Sequence, residues 1–136
     1  MSSGPGRGPG GMSTISHIGV AMFTVADQDA ALAFYTDKLG FEVRADVRFG
    51  ENDAMRWLEV APAGSQARLA LNPPMRDQPG GGSIGVETSD LDAEHSRLTG
   101  LGDVDVDAET MRAPNVPPMF SLRDPDGNHI WVVEAG

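Results

Sequence analysis

Two histidines and two carboxylates in β-forming stretches are the residues best suited to chemistry. His17 and His129 stand at the ends of such stretches, and Glu59 and Glu87 stand within them. Imidazole nitrogens and carboxylate oxygens bind Zn, Ni, Mn or Fe, and an ionised carboxylate in a strand must face water, a cation or a cleft. These four residues could therefore form a metal site, although nothing in their spacing demands one. The alternative is a set of ordinary strand-end and surface residues, as expected for His95 on a predicted helix.

Tryptophan and methionine form a second group of candidates, suited to binding rather than to catalysis. Trp57 and Trp131 are the only tryptophans, and Met22 and Met119 lie in other β-forming stretches. Indole rings offer a broad apolar surface that stacks on flat or cationic ligands, and flexible thioethers line adaptable pockets. The same residue types also fill ordinary cores, so the pattern alone leaves both interpretations open.

Composition narrows the class of protein. The chain has 136 residues, a net charge of −10 and no cysteine. Disulfides, thiolate nucleophiles and cysteine zinc sites are excluded, and the absence of cysteine fits the reducing cytoplasm. The negative charge disfavours nucleic acid and anionic membranes as partners and mildly favours a cationic ligand, although it also serves solubility. No apolar run approaches the roughly 18 residues that a membrane span requires.

Domain organisation is simple. Residues 1–13 are rich in Gly, Pro and Ser, lack the apolar run of a secretory signal, and are predicted to form a disordered tail. The remaining residues, 14–136, have the length of one domain that can bury its own core.

Hydrophobic periodicity divides this domain into strands and helices. Apolar residues at helical spacing predict helices over 26–40 and 90–102, with Asp27 capping the first and Gly40 ending it. A Gly- and Pro-rich linker is predicted over 75–82. Runs of β-forming residues predict strands over 14–25, 41–49, 55–62, 67–74, 83–89, 103–110, 119–123 and 129–133.

The order of these elements occurs twice. The stretch beginning at Asp27 has a counterpart beginning at Asp90, which lies 63 residues later. Self-similarity of this kind predicts two tandem βαβββ repeats, over about 14–74 and 83–135. Neither repeat is large enough to be stable alone. The predicted fold is therefore α+β, in which the repeats join into a curved mixed sheet with a concave cleft and helices outside.

Two short motifs point to a family. Residues 31–41 read AxxFYxxxLGF, and residues 123–128 read RDPDGN, in which Asp124 to Gly127 form a β-turn before the last strand. Together with the doubled βαβββ pattern, they resemble the vicinal oxygen chelate superfamily, which includes glyoxalase I, bleomycin-binding resistance proteins and extradiol dioxygenases. The resemblance covers residues 15–134. It implies the fold but not one activity, because such folds host many reactions.

The resemblance also implies a divalent metal on the concave face, held by the first and last strands of each repeat. The corresponding positions are Val20, Ala70, Ser83 (or Ile84 if the register shifts by one) and Trp131. Val, Ala and Trp offer no suitable lone pair, and a lone Ser binds metals weakly. We therefore predict no metal cofactor. A divalent metal remains an alternative only through the two histidines and two carboxylates named first.

The prediction that results is a metal-independent binding protein for a cationic or aromatic small molecule, similar to the bleomycin-binding proteins. The resemblance further implies a homodimer with clefts near or across its interface. The alternatives are a glyoxalase-like lyase or isomerase, or a dioxygenase-type enzyme, with a metal on shifted ligands, and a regulatory subunit with a vestigial cleft. The predicted lining of the cleft is Met22, Trp57, Ala70, Met119 and Trp131, with His129 as a polar contact.

Overall fold

The computed structural model describes residues 13–74 and 78–135. Residues 1–12 of the predicted tail and 75–77 of the predicted linker lie outside these ranges. The first helix continues as a π-helical segment, Phe34–Lys38, and a 3-10 turn, Glu51–Asp53, precedes the third strand. The elements in chain order are β1 Val20–Thr24, α1 Gln28–Ala33, β2 Glu42–Phe49, β3 Met55–Ala61, β4 Arg68–Asn72, β5 Ser83–Thr88, α2 Leu91–Leu101, β6 Asp105–Val106, β7 Met119–Arg123 and β8 His129–Glu134.

The strands form two four-stranded mixed sheets with the same topology, in the orders β1-β4-β3-β2 and β5-β8-β7-β6. In each sheet the first and last strands of the repeat are parallel neighbours and the other pairs are antiparallel. The α+β class and the two βαβββ repeats are thus confirmed. The predicted single sheet is instead two hydrogen-bonded sheets, because β1 and β5 are each an edge strand.

Two predicted strands are shorter than expected. The strand over 14–25 begins only at Val20, because its hydrogen bonding to β4 starts where Arg68 N donates to Gly19 O, at 2.9 Å. The strand over 103–110 is reduced to Asp105–Val106. Strand propensity alone does not define strand ends, because a strand persists only where a neighbour accepts and donates its backbone hydrogen bonds.

An aspartate caps each helix, Asp27 as predicted for the first and Asp90 for the second. The side chain of Asp27 accepts a hydrogen bond from Ala30 N, and that of Asp90 accepts one from Ala93 N, each at 3.1 Å. These caps satisfy backbone donors that have no partner within the helix. Helix α2 ends at Gly102, whose φ of +80° is a left-handed conformation. In the described part of the chain, neither helix has the length and apolar character needed to cross a membrane.

Alternation along the strands separates a core side from a second side. Phe23, Leu58 and Leu71 from the first sheet and Phe120 and Ile130 from the second are almost fully buried in one hydrophobic cluster that also contains residues of both helices. Successive strand residues point to opposite faces. The residues that alternate with these core residues therefore lie on the other side of each sheet, which we call the solvent-side face.

The DPDGN corner joins the two repeats. Tyr35 Oη on the π-helical segment donates to Asp124 Oδ2 at 2.9 Å. Asn128 Nδ2 donates to Thr24 O at 3.0 Å, and Asn128 Oδ1 accepts from Gly82 N at 2.9 Å. Burial, followed by the charge of Asp124, raises the pKa of Tyr35 above its usual range. The corner read from the sequence as a turn is thus also the place where the repeats are held together.

Candidate ligand-binding face

Large apolar side chains are exposed on the solvent-side face. Across β2 and β3, Phe49 pairs with Met55 and Val47 pairs with Trp57, so their side chains lie on one side of the sheet. Met22 on β1 is 60% exposed. Scattered exposed apolar residues are normal, but a group on one face indicates a binding surface. The exposed members are Met22, Val47, Phe49, Met55 and Met111.

The six residues predicted to line the cleft all occupy strand positions on the solvent-side face. On the first sheet, Met22 pairs with Ala70 in the β1–β4 ladder. On the second sheet, the rings of His129 and Trp131 lie with centroids 6.5 Å apart and planes 30° apart. Ala70 is fully buried, so it supports the face from below rather than offering it contact area. The remaining two are Trp57 on β3 and Met119 on β7.

Glu59 is the centre of a polar cluster on the first sheet. Trp57 Nε1 donates to Glu59 Oε2, and Arg68 Nε donates to Glu59 Oε1, each at 2.8 Å. Glu59 is only 7% exposed, and protein donors bind both of its carboxylate oxygens. The cluster fixes the plane of the indole ring and neutralises a buried charge. Nothing in the sequence pairs Arg68 with Glu59, because the two residues lie on different strands.

A second polar cluster surrounds His129. Ser121 Oγ lies 3.2 Å from His129 Nδ1, and Arg123 Nη1 donates to Ser121 Oγ at 3.3 Å. The two Nη atoms of Arg123 also pair with Asp107 and Asp105, each at 2.9 Å. The hydrogen bond from Arg123 lowers the pKa of Asp105 below its usual value. Sequence reasoning missed Ser121, although its alternation with Met119 and Arg123 places it on this face.

The positions that the resemblance assigns to metal ligands do not fit a metal. Val20, Ala70 and Trp131 carry no donor suited to a divalent ion, and Ser83 offers one weak oxygen. Within residues 13–74 and 78–135, no three His, Asp or Glu side chains are grouped in a way that could hold one.

The four shifted ligands are likewise not brought together. His17 Nδ1 lies 2.7 Å from Ser16 Oγ in the exposed segment before β1. Glu59 is bound by Trp57 and Arg68 as described, and Glu87 is exposed near the end of β5. His129 Nδ1 lies beside Ser121 Oγ on β7. Each potential ligand therefore has a separate environment.

Two cavities, each partly open to solvent, lie elsewhere, along the junction of the two repeats. A cavity of about 670 Å³ lies between the β3–β4 turn and β5, and a smaller one of about 190 Å³ adjoins α2. Neither is lined by any of the six residues predicted for the cleft. The lining of the larger cavity includes Ala21, Ala61, Arg68, Val86 and Glu87.

The paired βαβββ repeats of this chain are typical of one superfamily. The model of the Glyoxalase/Bleomycin resistance protein/Dioxygenase superfamily matches residues 14–132, and the chain belongs to this family.

Several solved structures are similar. A member of the same superfamily from Sphaerobacter thermophilus DSM 20745 is 33% identical with a TM-score of 0.80, over 90% of this chain and 100% of that one. TnmS3, an antibiotic binding protein from Streptomyces sp. CB03234, is 33% identical with a TM-score of 0.79, over 92% and 100%. Lactoylglutathione lyase from Agrobacterium tumefaciens, 23% identical with a TM-score of 0.65 over 89% and 95%, shares the fold.

One curated relative also matches. The uncharacterized protein YetH of Bacillus subtilis (strain 168) is 42% identical over 59 residues, which are 43% of this chain and 48% of YetH. The match thus spans about half the length of that relative.

Proposed function

We propose that this protein binds and sequesters a flat aromatic small molecule, neutral or cationic, on its solvent-side face without a metal. The observation that carries the proposal is the group of exposed apolar side chains on that face, beside the only two tryptophans of the chain. A face of this kind suits stacking and apolar contact. The similarity to TnmS3, an antibiotic binding protein, supports an antibiotic-like ligand as the class to test first.

Electrostatics favours a neutral or cationic ligand over an anionic one. Arg68 is paired with Glu59, and Arg123 is paired with both Asp105 and Asp107. Both guanidinium groups are therefore already compensated, and an incoming carboxylate would compete with an internal one. The net charge of −10 adds a long-range attraction for cations. Indole faces contribute a further attraction to a cation placed over the ring.

We also propose that the protein acts as a homodimer in the cytoplasm, with the second copy completing the cleft. Ile15 and Ile18, in the segment before β1, are 84% and 86% exposed. Such exposure of isoleucine is costly in water, and a second copy would relieve it. The cytoplasmic location rests on the absence of cysteine.

Tryptophan fluorescence tests the binding function. The probes are 9-aminoacridine, which is flat and cationic, and acridone, which is flat, neutral and of similar shape. We expect saturable quenching by at least one of them, unchanged by chelators. Replacing Trp131 by Ala should weaken binding at least about tenfold, because a buried aromatic contact typically contributes more than ~1.4 kcal/mol. The matched control is Leu101→Ala, which removes an exposed apolar side chain at the end of helix α2.

The same preparation separates binding from metal-dependent catalysis. We expect substoichiometric metal after purification without chelators. Absence of saturable quenching by either probe would refute the binding proposal. Stoichiometric Ni, Zn, Mn or Fe that is lost in a Glu59→Gln or His129→Gln variant would refute the metal-free mechanism and favour an enzyme with shifted ligands.

A further inference from the structure

The two ends of the junction between the repeats are related by the internal repeat but are filled differently. We call the end near the DPDGN corner the filled end and the end near the β3–β4 turn the vacant end. An offset of 63 residues, read from the N-caps Asp27 and Asp90, places Phe23 opposite Val86 and Tyr35 opposite Leu98. The strand register, in which Arg68 N donates to Gly19 O as His129 N donates to Gly82 O, places Asn128 opposite Ala67. The pairs Val60–Leu69 and Leu122–Ile130 then place Asp124 opposite Pro62.

The filled end is packed by aromatic side chains of the chain itself. Phe23 is 2% exposed and Tyr35 is completely buried. A Cβ atom added at Gly82 would lie only 2.5 Å from Phe23 Cδ1 and 3.0 Å from Asn128 Oδ1. A side chain at position 82 would therefore overlap the atoms packed here.

The vacant end has a smaller or less polar residue at each corresponding position. The counterparts of Phe23, Tyr35, Asp124 and Asn128 are Val86, Leu98, Pro62 and Ala67, and all four line one or both of the two cavities. At Gly19, the counterpart of Gly82, an added Cβ would meet only the His17 imidazole, at 3.8 Å. The cavities therefore lie where the repeat symmetry would place an aromatic cluster.

The larger cavity has the size of a ligand site. It is partly open to solvent, since Ala63, Gly64 and Glu87 of its lining are exposed. Its volume of about 670 Å³ lies in the range of small-molecule sites, roughly 300–1,000 Å³. Its walls are mainly apolar, with Arg68 and Glu87 as charged members of the lining.

We propose that the vacant end is a second small-molecule site, distinct from the solvent-side face, which takes an apolar aromatic ring. At the filled end two aromatic side chains of the chain itself occupy the corresponding space. They therefore indicate the shape of the ligand that fits the vacant end. A phenol should bind no better than the plain hydrocarbon. At the filled end the Tyr35 hydroxyl donates to Asp124, whereas Pro62 at the vacant end offers no side-chain acceptor.

Protein NMR with a matched pair of probes tests this site. The full chain is titrated with naphthalene and with 2-naphthol, and backbone amide shifts are followed residue by residue. We expect saturable shifts at Ser65, Val86 and their neighbours, with naphthalene binding at least as tightly as 2-naphthol. The Val86→Phe variant, which copies Phe23, should reduce naphthalene affinity at least about tenfold, because the added ring occupies the site.

Two further variants keep the outcome decisive. Ala63→Trp, at an exposed turn position that lines the cavity, should reduce affinity in the same way if Val86→Phe fails to fold. Trp131→Ala should leave naphthalene shifts at the vacant end unchanged, which separates this site from the one on the solvent-side face.

Three results would overturn the proposal. One is shifts confined to the solvent-side strands, and another is unchanged naphthalene affinity in a folded Val86→Phe or Ala63→Trp variant. The third is loss of self-association in either variant, which would assign the vacant end to a second copy of the chain. The first two results leave the quenching test of the proposed function unaffected, and the third is recognised by measuring the oligomeric state of each variant.

Discussion

Tyr35 provides a direct test of how the repeats are held together. It is the only tyrosine of the chain, it is completely buried, and its hydroxyl donates to Asp124 Oδ2 at 2.9 Å. Replacement by Phe keeps the ring and removes only the hydroxyl. Asp124 Oδ2 then loses one hydrogen bond but retains the one from Asn128 Nδ2, at 3.0 Å.

The expected loss follows from the charge of the acceptor. A hydrogen bond to a charged group contributes about 1.5–3 kcal/mol to the free energy of unfolding, and we expect Tyr35→Phe to lower this free energy by about 2 kcal/mol near neutral pH. Since burial raises the pKa of Tyr35 in the folded state, the folded protein holds the phenolic proton more tightly than the unfolded chain does. The stabilisation is therefore complete below about pH 10, the unfolded pKa, and decreases as pH rises above it.

Urea denaturation at several pH values measures both effects. Between about pH 10 and pH 11, the stability advantage of the wild type over Tyr35→Phe should shrink by roughly 1 kcal/mol, approaching 1.4 kcal/mol per unit at higher pH. Other groups titrate in both proteins and cancel in the difference. The phenolate absorbance reports Tyr35 alone and should appear together with unfolding. If phenolate forms in the folded protein with an ordinary midpoint, or if the difference is independent of pH, the account of this contact is wrong.

Two further substitutions test the packing. Glu59→Gln should lower the free energy of unfolding by about 1–2 kcal/mol in urea denaturation, because an amide cannot accept from two donors through both of its terminal atoms, and partial exposure of Arg68 limits the loss. An unchanged midpoint would mean that this cluster contributes no net stability. Gly82→Ala should cost about 1–3 kcal/mol through overlap with the Phe23 ring, whereas Gly85→Ala, with no atom within 4 Å of the new Cβ, should be nearly neutral in thermal unfolding. Equal effects of the two glycine changes would contradict the tight packing at the filled end.

Local rules predicted much of the fold. Asp27 was recognisable as a cap because the capping interaction spans only three residues. The repeat followed from an alignment of the chain with itself, and alternation placed Trp57 and Trp131 on the same kind of face as Met22. Each of these inferences depends on neighbours in sequence or on the period of a strand.

Features that depend on distant parts of the chain were not accessible in this way. The DPDGN corner read as a turn, but its contact with Tyr35 spans 89 residues and depends on how the repeats dock. The pairing of Glu59 with Arg68 depends on the register between β3 and β4. The cavities at the vacant end follow from a difference between the repeats, which matters only once the two sheets are placed beside each other.

Alternation along each strand has a consequence for how this molecule can change. Leu58 and Glu59 are adjacent in sequence, yet one belongs to the shared interior and the other to the opposite surface. Evolution could replace every second residue of these strands and so change the ligand that the solvent-side face prefers. The intervening core residues would keep the fold. The residues that would determine ligand specificity thus alternate along each strand with the residues that determine the fold.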